Sequence, residues 1–145
     1  LAGLAKLKSI GGLGVNGNAS LEDLTGLEGV TETLNTVGIT DNPSLRSLRG
    51  LGALRRTGGS LVVQDNAKLE TLQGLESLTH VGWGLAILDN PKLGGLAELG
   101  SLIEVRHSLT ITNNASLPQS AIDGLFERLT LAGFAGPAQL AGNLP

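Results

Sequence analysis

The sequence predicts a mostly β solenoid, in which coils of similar sequence stack along one axis. Three observations lead to this fold class. Five asparagines recur at one constant interval, a short alternating apolar segment precedes each one, and leucine recurs at fixed positions between these segments. A constant period of this kind is typical of stacked repeats and not of a globular core around a pocket. The asparagines are Asn18, Asn42, Asn66, Asn90 and Asn114.

The segments before the asparagines predict one strand per coil. Two apolar residues flank one outward residue, as in Leu61-Val-Val63 and Leu85-Ala-Ile87. Alternation with a period of two is the pattern of a strand with one buried face. Stacking one such strand per coil at about 4.8 Å gives a parallel sheet along the solenoid axis.

Leucines three positions apart predict a return path of turns without a long helix. One column of leucines at the 24-residue period is Leu24, Leu48, Leu72 and Leu96, and the next is Leu27, Leu51, Leu75 and Leu99. At the N-terminus Leu1, Leu4, Leu7 and Ile10 follow the same order one position out of step. Since terminal repeats need a polar cap, we expect that an N-terminal cap is missing or that another subunit covers this end.

Residues 118–129 predict an amphipathic helix that closes the C-terminal end of the stack. Its apolar face would consist of Ile122, Leu125, Phe126 and Leu129. A final strand over residues 139–143 would then bring Asn143 onto the asparagine column as a sixth member. The domain prediction is a single solenoid over residues 1–145, with repeats in 1–117 and the cap in 118–145.

Composition excludes several classes of function. An apolar content of 41% is too high for a disordered chain, and no apolar run is long enough to span a membrane. The net charge is −3 and the ten basic residues are scattered, which disfavours nucleic acid as a partner. No cysteine is present, so thiolate metal sites, thiol nucleophiles and disulfides are excluded.

The composite repeat L-x-G-L-x-x-L-x-x-V, followed by L-x-I-x-D-N-P-x-L, resembles the receptor L-domain branch of leucine-rich repeat proteins. The agreement is closest over Leu72–Val81 and Leu85–Leu93. This resemblance, of the bacterial surface type, implies a right-handed α/β solenoid that is mostly β, with parallel 24-residue coils and a C-terminal capping helix. It also implies a binding role outside the cell or at its surface.

The asparagine column is interpreted as a structural ladder, because buried side-chain amides can satisfy backbone groups at a corner of each coil. Beside it Asp41, Asp65 and Asp89 form an acidic row. This row either caps turns or shares a cation such as calcium, and both interpretations stay open at this point.

Two surfaces are candidates for partner contact. On the outward face of the sheet, Val62, Gln64 and Leu88 project among small uncharged residues. On a loop edge, the sole tryptophan, Trp83, shares a column with His107, next to Arg106. Trp83 is either an exposed contact residue or an inward residue that covers the gap left by Gly82 and Gly84.

Catalytic motifs are lacking, so no catalytic, metal or cofactor site is predicted. His80 and His107 fall in different columns without a nucleophile at a diagnostic spacing, and Glu28, Glu76 and Glu98 are interpreted as solvated loop charges. The function predicted is a non-enzymatic module, extracellular or on the cell surface, that binds a protein or glycan. The alternative is a structural protein whose solenoids self-associate into a fibre or surface layer.

Overall fold

A computed structural model describes residues 3–144 of the chain. Leu1, Ala2 and Pro145 lie outside the described residues, and with them the first leucine of the N-terminal series and both outer boundaries of the predicted domain. The described residues form a mostly β parallel solenoid with one α-helix. In chain order the elements are β1 Ser9–Ile10, β2 Leu13–Asn16, β3 Glu32–Thr33, β4 Val37–Thr40, β5 Arg56–Thr57, β6 Leu61–Gln64, β7 His80–Val81, β8 Gly84–Leu88, a 3-10 helix Ala97–Ser101, β9 Glu104–Val105, β10 Ser108–Thr112, α1 Gln119–Leu131 and β11 Ala138–Gln139.

The main sheet contains the strands that the alternating segments predict. Its spatial order is β2-β4-β6-β8-β10-β11, and every neighbouring pair is parallel. Val63 lies opposite Ile87, its equivalent one coil further along the chain, and the same offset relates the other pairs up to β10. The in-register pairing stacks the inward-facing apolar residues of successive coils, so each coil covers the core of its neighbour.

A second sheet makes the prediction of one strand per coil wrong. Five two-residue strands pair in the order β1-β3-β5-β7-β9, on the return path of each coil. We call this the short sheet. Its inward residues Thr33, Thr57, Val81 and Val105 are buried, and the threonine hydroxyls of Thr33 and Thr57 donate to carbonyls two positions on. Two-residue strands carry too little alternation to be recognised from sequence.

The asparagine ladder is formed by side-chain amides that bridge successive coils. The Oδ1 atom of Asn66 accepts from the backbone N–H of Asn42 and from its Nδ2 atom, both at 3.2 Å. The Nδ2 atom of Asn66 donates to the carbonyls of Ile39 and Gln64 at 3.0 Å. Asn42, Asn66, Asn90 and Asn114 are all fully buried. Among the described residues, no buried side-chain nitrogen or oxygen lacks a partner.

The residue before each ladder asparagine has a left-handed backbone. Its φ is +69° at Gly17, +55° at Asp41, +56° at Asp65, +54° at Asp89 and +60° at Asn113. Glycine, aspartate and asparagine adopt this region at the lowest cost. The backbone turn therefore accounts for the residue types of the acidic row.

The glycine column at Gly26, Gly50 and Gly74 marks a second left-handed turn, with φ of +108°, +114° and +114°. A Cβ atom on Gly50 would lie 2.0 Å from the carbonyl oxygen of Leu24. The next coil has Glu98 in this column, and there the chain forms the 3-10 helix instead. Loss of the glycine thus coincides with a different backbone path.

In the C-terminal cap the observed helix agrees with the predicted one, but the last strand differs from its prediction. Helix α1 buries Ile122, Leu125 and Leu129, while Phe126 is half-buried. The final strand predicted over 139–143 is instead the two-residue β11, and the chain turns at Gly142 with φ of +75°. Asn143 still joins the ladder, since its Oδ1 atom accepts from the backbone N–H of Asn114 at 3.1 Å.

Candidate functional site

Trp83 and His107 lie side by side at the amino ends of two neighbouring strands of the main sheet. They immediately precede β8 and β10, whose in-register pairing brings equivalent residues about 4.8 Å apart. The backbone N–H of His107 donates to the carbonyl of Trp83 at 2.8 Å. The two rings stack with centroids 4.2 Å apart and an interplanar angle of 21°. We call Trp83, Arg106 and His107 the tryptophan edge.

The Trp83 ring faces solvent, so the alternative in which it packs inward is wrong. Trp83 is 56% exposed, although a ring of this size contributes most to packing when buried. The glycine beside it has its own structural reason, because a Cβ atom on Gly82 would lie 2.3 Å from the carbonyl oxygen of Gly58. The stacked pair is therefore an exposed aromatic surface.

A pocket of about 160 Å³ adjoins the tryptophan edge. Its walls include Arg56, His80 and Arg106, and Gly58 and Gly82 contribute backbone to its lining. Arg56 and His80 come together because they are paired outward residues of the short sheet. We call this the cationic pocket.

Glu104 partly neutralises the cationic pocket. Its Oε1 atom accepts from Nε of Arg106 at 2.6 Å, and its Oε2 atom lies 3.5 Å from Nε2 of His80. The hydrogen bond from Arg106 is the largest effect and lowers the pKa of Glu104. Burial opposes it, and the charges of Arg106, His80 and Arg56 lower the pKa further. In residues 3–144, Arg56 itself makes no ion pair.

The predicted contact residues of the sheet face lie apart from the tryptophan edge. Val62, Gln64 and Leu88 are half-buried on the outward face of β6 and β8, with Gln64 opposite Leu88. Gln64 donates from Nε2 to Oδ2 of Asp65 at 3.0 Å. The six predicted contact residues thus fall into two groups, and only the tryptophan edge adjoins charged side chains in a pocket.

The loop glutamates are not simply solvated, which corrects their interpretation. The carboxylate of Glu28 accepts from the backbone N–H of Gly26 at 2.9 and 3.0 Å, and Glu76 does the same for Gly74 at 3.1 and 2.9 Å. The hydrogen bond from Gly26 lowers the pKa of Glu28. Glu98 accepts from the hydroxyl of Thr71. These carboxylates hold turns of the return path.

The acidic row does not form a metal cluster in the part of the chain that the structure describes. No group of three or more histidine, aspartate or glutamate side chains is placed there to hold a metal ion. Asp89 accepts from Nδ2 of Asn113 at 3.1 Å, and Asp65 accepts from Gln64. Asp65 and Asp89 of the acidic row therefore hydrogen-bond to neighbouring amide side chains.

Sequence reasoning missed the cationic pocket, although a signal for it was present. Glu32, Arg56, His80 and Glu104 occupy one column of the repeat, and Gly58, Gly82 and Arg106 occupy another. Both columns belong to the return path, where the strands are too short to show a pattern. Aligning charged residues at the repeat period would have found the cluster without any strand prediction.

Comparison of the chain with protein-family models, curated proteins and solved structures found no match. Within residues 3–144, no helix combines the length and apolar character that crossing a membrane requires.

Proposed function

We propose that this solenoid is a non-enzymatic interaction module that binds a protein or glycan through the tryptophan edge. The observation that carries the proposal is the exposed stack of Trp83 on His107. Tryptophan and arginine are the residues most enriched among those that dominate binding energy at interfaces. A large aromatic surface left in solvent gains free energy when a partner covers it.

We further propose that the chain is a right-handed member of the receptor L-domain branch of leucine-rich repeat proteins, of the bacterial surface type. The leucine columns, the strand segments and the D-N-P-x-L phrase support this assignment. An extracellular or cell-surface location follows from the same resemblance. Rigid stacked coils suit a binding role, because they hold surface residues in place without a cofactor.

The sole tryptophan provides a direct test. The chain is screened against arrays of extracellular polysaccharides and of extracellular protein domains, and each ligand found is titrated while the emission of Trp83 is followed. A ligand at the tryptophan edge shifts this emission, and Trp83→Ala weakens its binding by about tenfold or more. The matched control is Leu131→Ala, which removes an 83% exposed apolar side chain on α1. Ligands that bind Trp83→Ala as tightly as the parent chain would refute the proposal.

A second candidate function is self-association into a fibre or surface layer. The observation that favours it is that β2 pairs only with β4 among the described residues, which leaves one edge of the main sheet without a neighbour. An unpaired strand edge is a template for pairing with another chain. Sedimentation over a wide concentration range tests this candidate, and a monomer throughout that range would eliminate it.

A further inference from the structure

The tryptophan edge and the cationic pocket are continuous in the fold. Gly82 lines the pocket and is followed directly by Trp83, while Arg106 lines the pocket and is followed by His107. A flat aromatic surface therefore stands next to a recess with basic walls. Arg106 belongs to both, so a ligand that contacts the tryptophan edge at Arg106 is also at the wall of the pocket.

Ordinary cross-strand pairing accounts for only part of the charge on the pocket walls. Glu32 lies directly opposite Arg56 in the register of β3 and β5, but within residues 3–144 the two side chains form no ion pair. Cross-strand charge pairs are common on sheets and contribute modestly to stability. Glu104, however, uses one oxygen for Arg106 and approaches His80 with the other. In the described part of the chain, the guanidinium of Arg56 and the terminal nitrogens of Arg106 make no hydrogen bond, so they are free to bind an anion.

We propose that this combined surface binds the uronic-acid units of an acidic polysaccharide. This inference rests on the proposed function and names the class of its ligand. A pyranose ring has an apolar C–H face that packs on an aromatic ring such as Trp83. In a uronic acid the carboxylate projects from the edge of that ring, where arginine binds it with two parallel hydrogen bonds.

Other polyanions fit this surface less well. An extended peptide would need free backbone donors, but the N–H groups of Gly58 and Gly82 already donate to the carbonyls of Thr33 and Thr57 at 2.7 and 2.8 Å. Nucleic acids require basic residues along a longer track, and the chain carries a net charge of −3. The acidic peptide and the nucleic acid are therefore outcomes of the test.

The experiment compares matched ligands by isothermal titration calorimetry with the full chain. The probes are tetramers of galacturonate, glucuronate and mannuronate, the methyl ester of the galacturonate tetramer, a polyglutamate peptide and a short single-stranded oligonucleotide. We expect at least one uronate tetramer to bind. If the galacturonate tetramer is that ligand, we expect its methyl ester to bind about tenfold more weakly, because the ester cannot accept charge-assisted hydrogen bonds in the same way.

Variants separate the two parts of the surface. Arg56→Gln and Arg106→Gln should weaken uronate binding by about tenfold each and leave binding of the neutral ester nearly unchanged. Trp83→Ala should weaken both ligands. Arg49→Gln is the control, because it removes one exposed positive charge on a different part of the coil. All four side chains are exposed, so the variants are expected to fold, which circular dichroism verifies.

The possible results distinguish this inference from the proposed function. Equal binding of the galacturonate tetramer and its ester, with both dependent on Trp83, would overturn the acidic-sugar inference and leave a glycan-binding edge. Binding of polyglutamate or the oligonucleotide without any uronate would also overturn it, and a Trp83-dependent peptide would leave a protein-binding module. Absence of binding by all three uronates overturns the inference outright.

Discussion

The two ends of the main strands differ in how uniform and how buried their flanking residues are. At the carboxyl ends the same residue, asparagine, recurs in every coil and is buried from Asn42 to Asn114. At the amino ends one column reads Asn35, Gly59, Trp83 and His107, and three of these are exposed. A uniform buried column satisfies backbone groups that every coil leaves unpaired. The exposed column does not have to satisfy buried backbone groups, so its residue types are free to vary from coil to coil.

The largest effect is expected in the middle of the ladder. Asn66→Ala leaves the backbone N–H of Asn42 without its acceptor and opens a cavity in the buried corner. We expect a loss of about 3–5 kcal/mol in the free energy of unfolding, measured by urea denaturation. Asn18→Ala, at the exposed first position, should cost less than about 1 kcal/mol. Equal losses at the two positions would show that burial of the ladder does not matter.

A smaller loss is expected at Gly82, next to the tryptophan edge, where a side chain would meet the neighbouring coil. Gly82→Ala places a Cβ atom 2.3 Å from the carbonyl oxygen of Gly58, so the two coils must separate locally. We expect about 1–3 kcal/mol of destabilisation by the same assay. Gly95→Ala is the matched control, because its Cβ atom would meet no heavy atom within 4 Å. A neutral Gly82→Ala would show that this end of the strands is freer than the contacts indicate.

The left-handed row beside the ladder should respond to backbone conformation and not to charge. Asp65 has φ of +56°, so Asp65→Ala should cost about 1 kcal/mol while Asp65→Gly and Asp65→Asn are nearly neutral. Thermal unfolding with and without calcium measures both effects. A stabilisation by calcium that Asp65→Asn abolishes would restore the interpretation of the row as a cation site.

The smallest effect on the free energy of unfolding is expected when Glu104 is protonated at acidic pH. Its pKa in the folded chain lies below the ordinary 4.5, so its stabilisation is present above that value and is lost as the pH falls through the folded pKa. Because Glu104 is about one-third exposed, solvent screening holds this contribution below about 1 kcal/mol. Arg106→Gln should raise the Glu104 pKa, followed by carboxyl NMR, whereas Arg49→Gln should not. An unchanged pKa in Arg106→Gln would contradict the assigned cause.

Much of the fold could be predicted from the repeat. The constant period aligns Asn66 with Asn90, and the in-register pairing of Val63 with Ile87 follows from the same spacing. The helix predicted over residues 118–129 nearly coincides with the observed Gln119–Leu131. These features are predictable because each depends on a local pattern repeated along the chain or on one amphipathic face.

The candidate site was predictable only in part. The shared column of Trp83 and His107 was visible in the sequence, but whether the ring pointed outward was not, because glycines on both sides allowed either arrangement. The short sheet and the cationic pocket were missed, since two-residue strands have no recognisable period. The left-handed backbone at Asp41 and Asp65 was likewise not predictable, because aspartate suits several roles in a turn.

The sequence by itself therefore determined the stacking: which residues face inward, which coils are neighbours and where asparagines align, because hydrophobic burial repeats at a constant interval. Only the tertiary structure decided which outward side chains from different coils share a surface. Arg56, His80 and Arg106 meet because backbone pairing on the return path brings distant residues together, and the rings of Trp83 and His107 stack because their strands lie in register. Exposed side chains are not constrained by core packing, so their positions follow from the backbone that the core specifies.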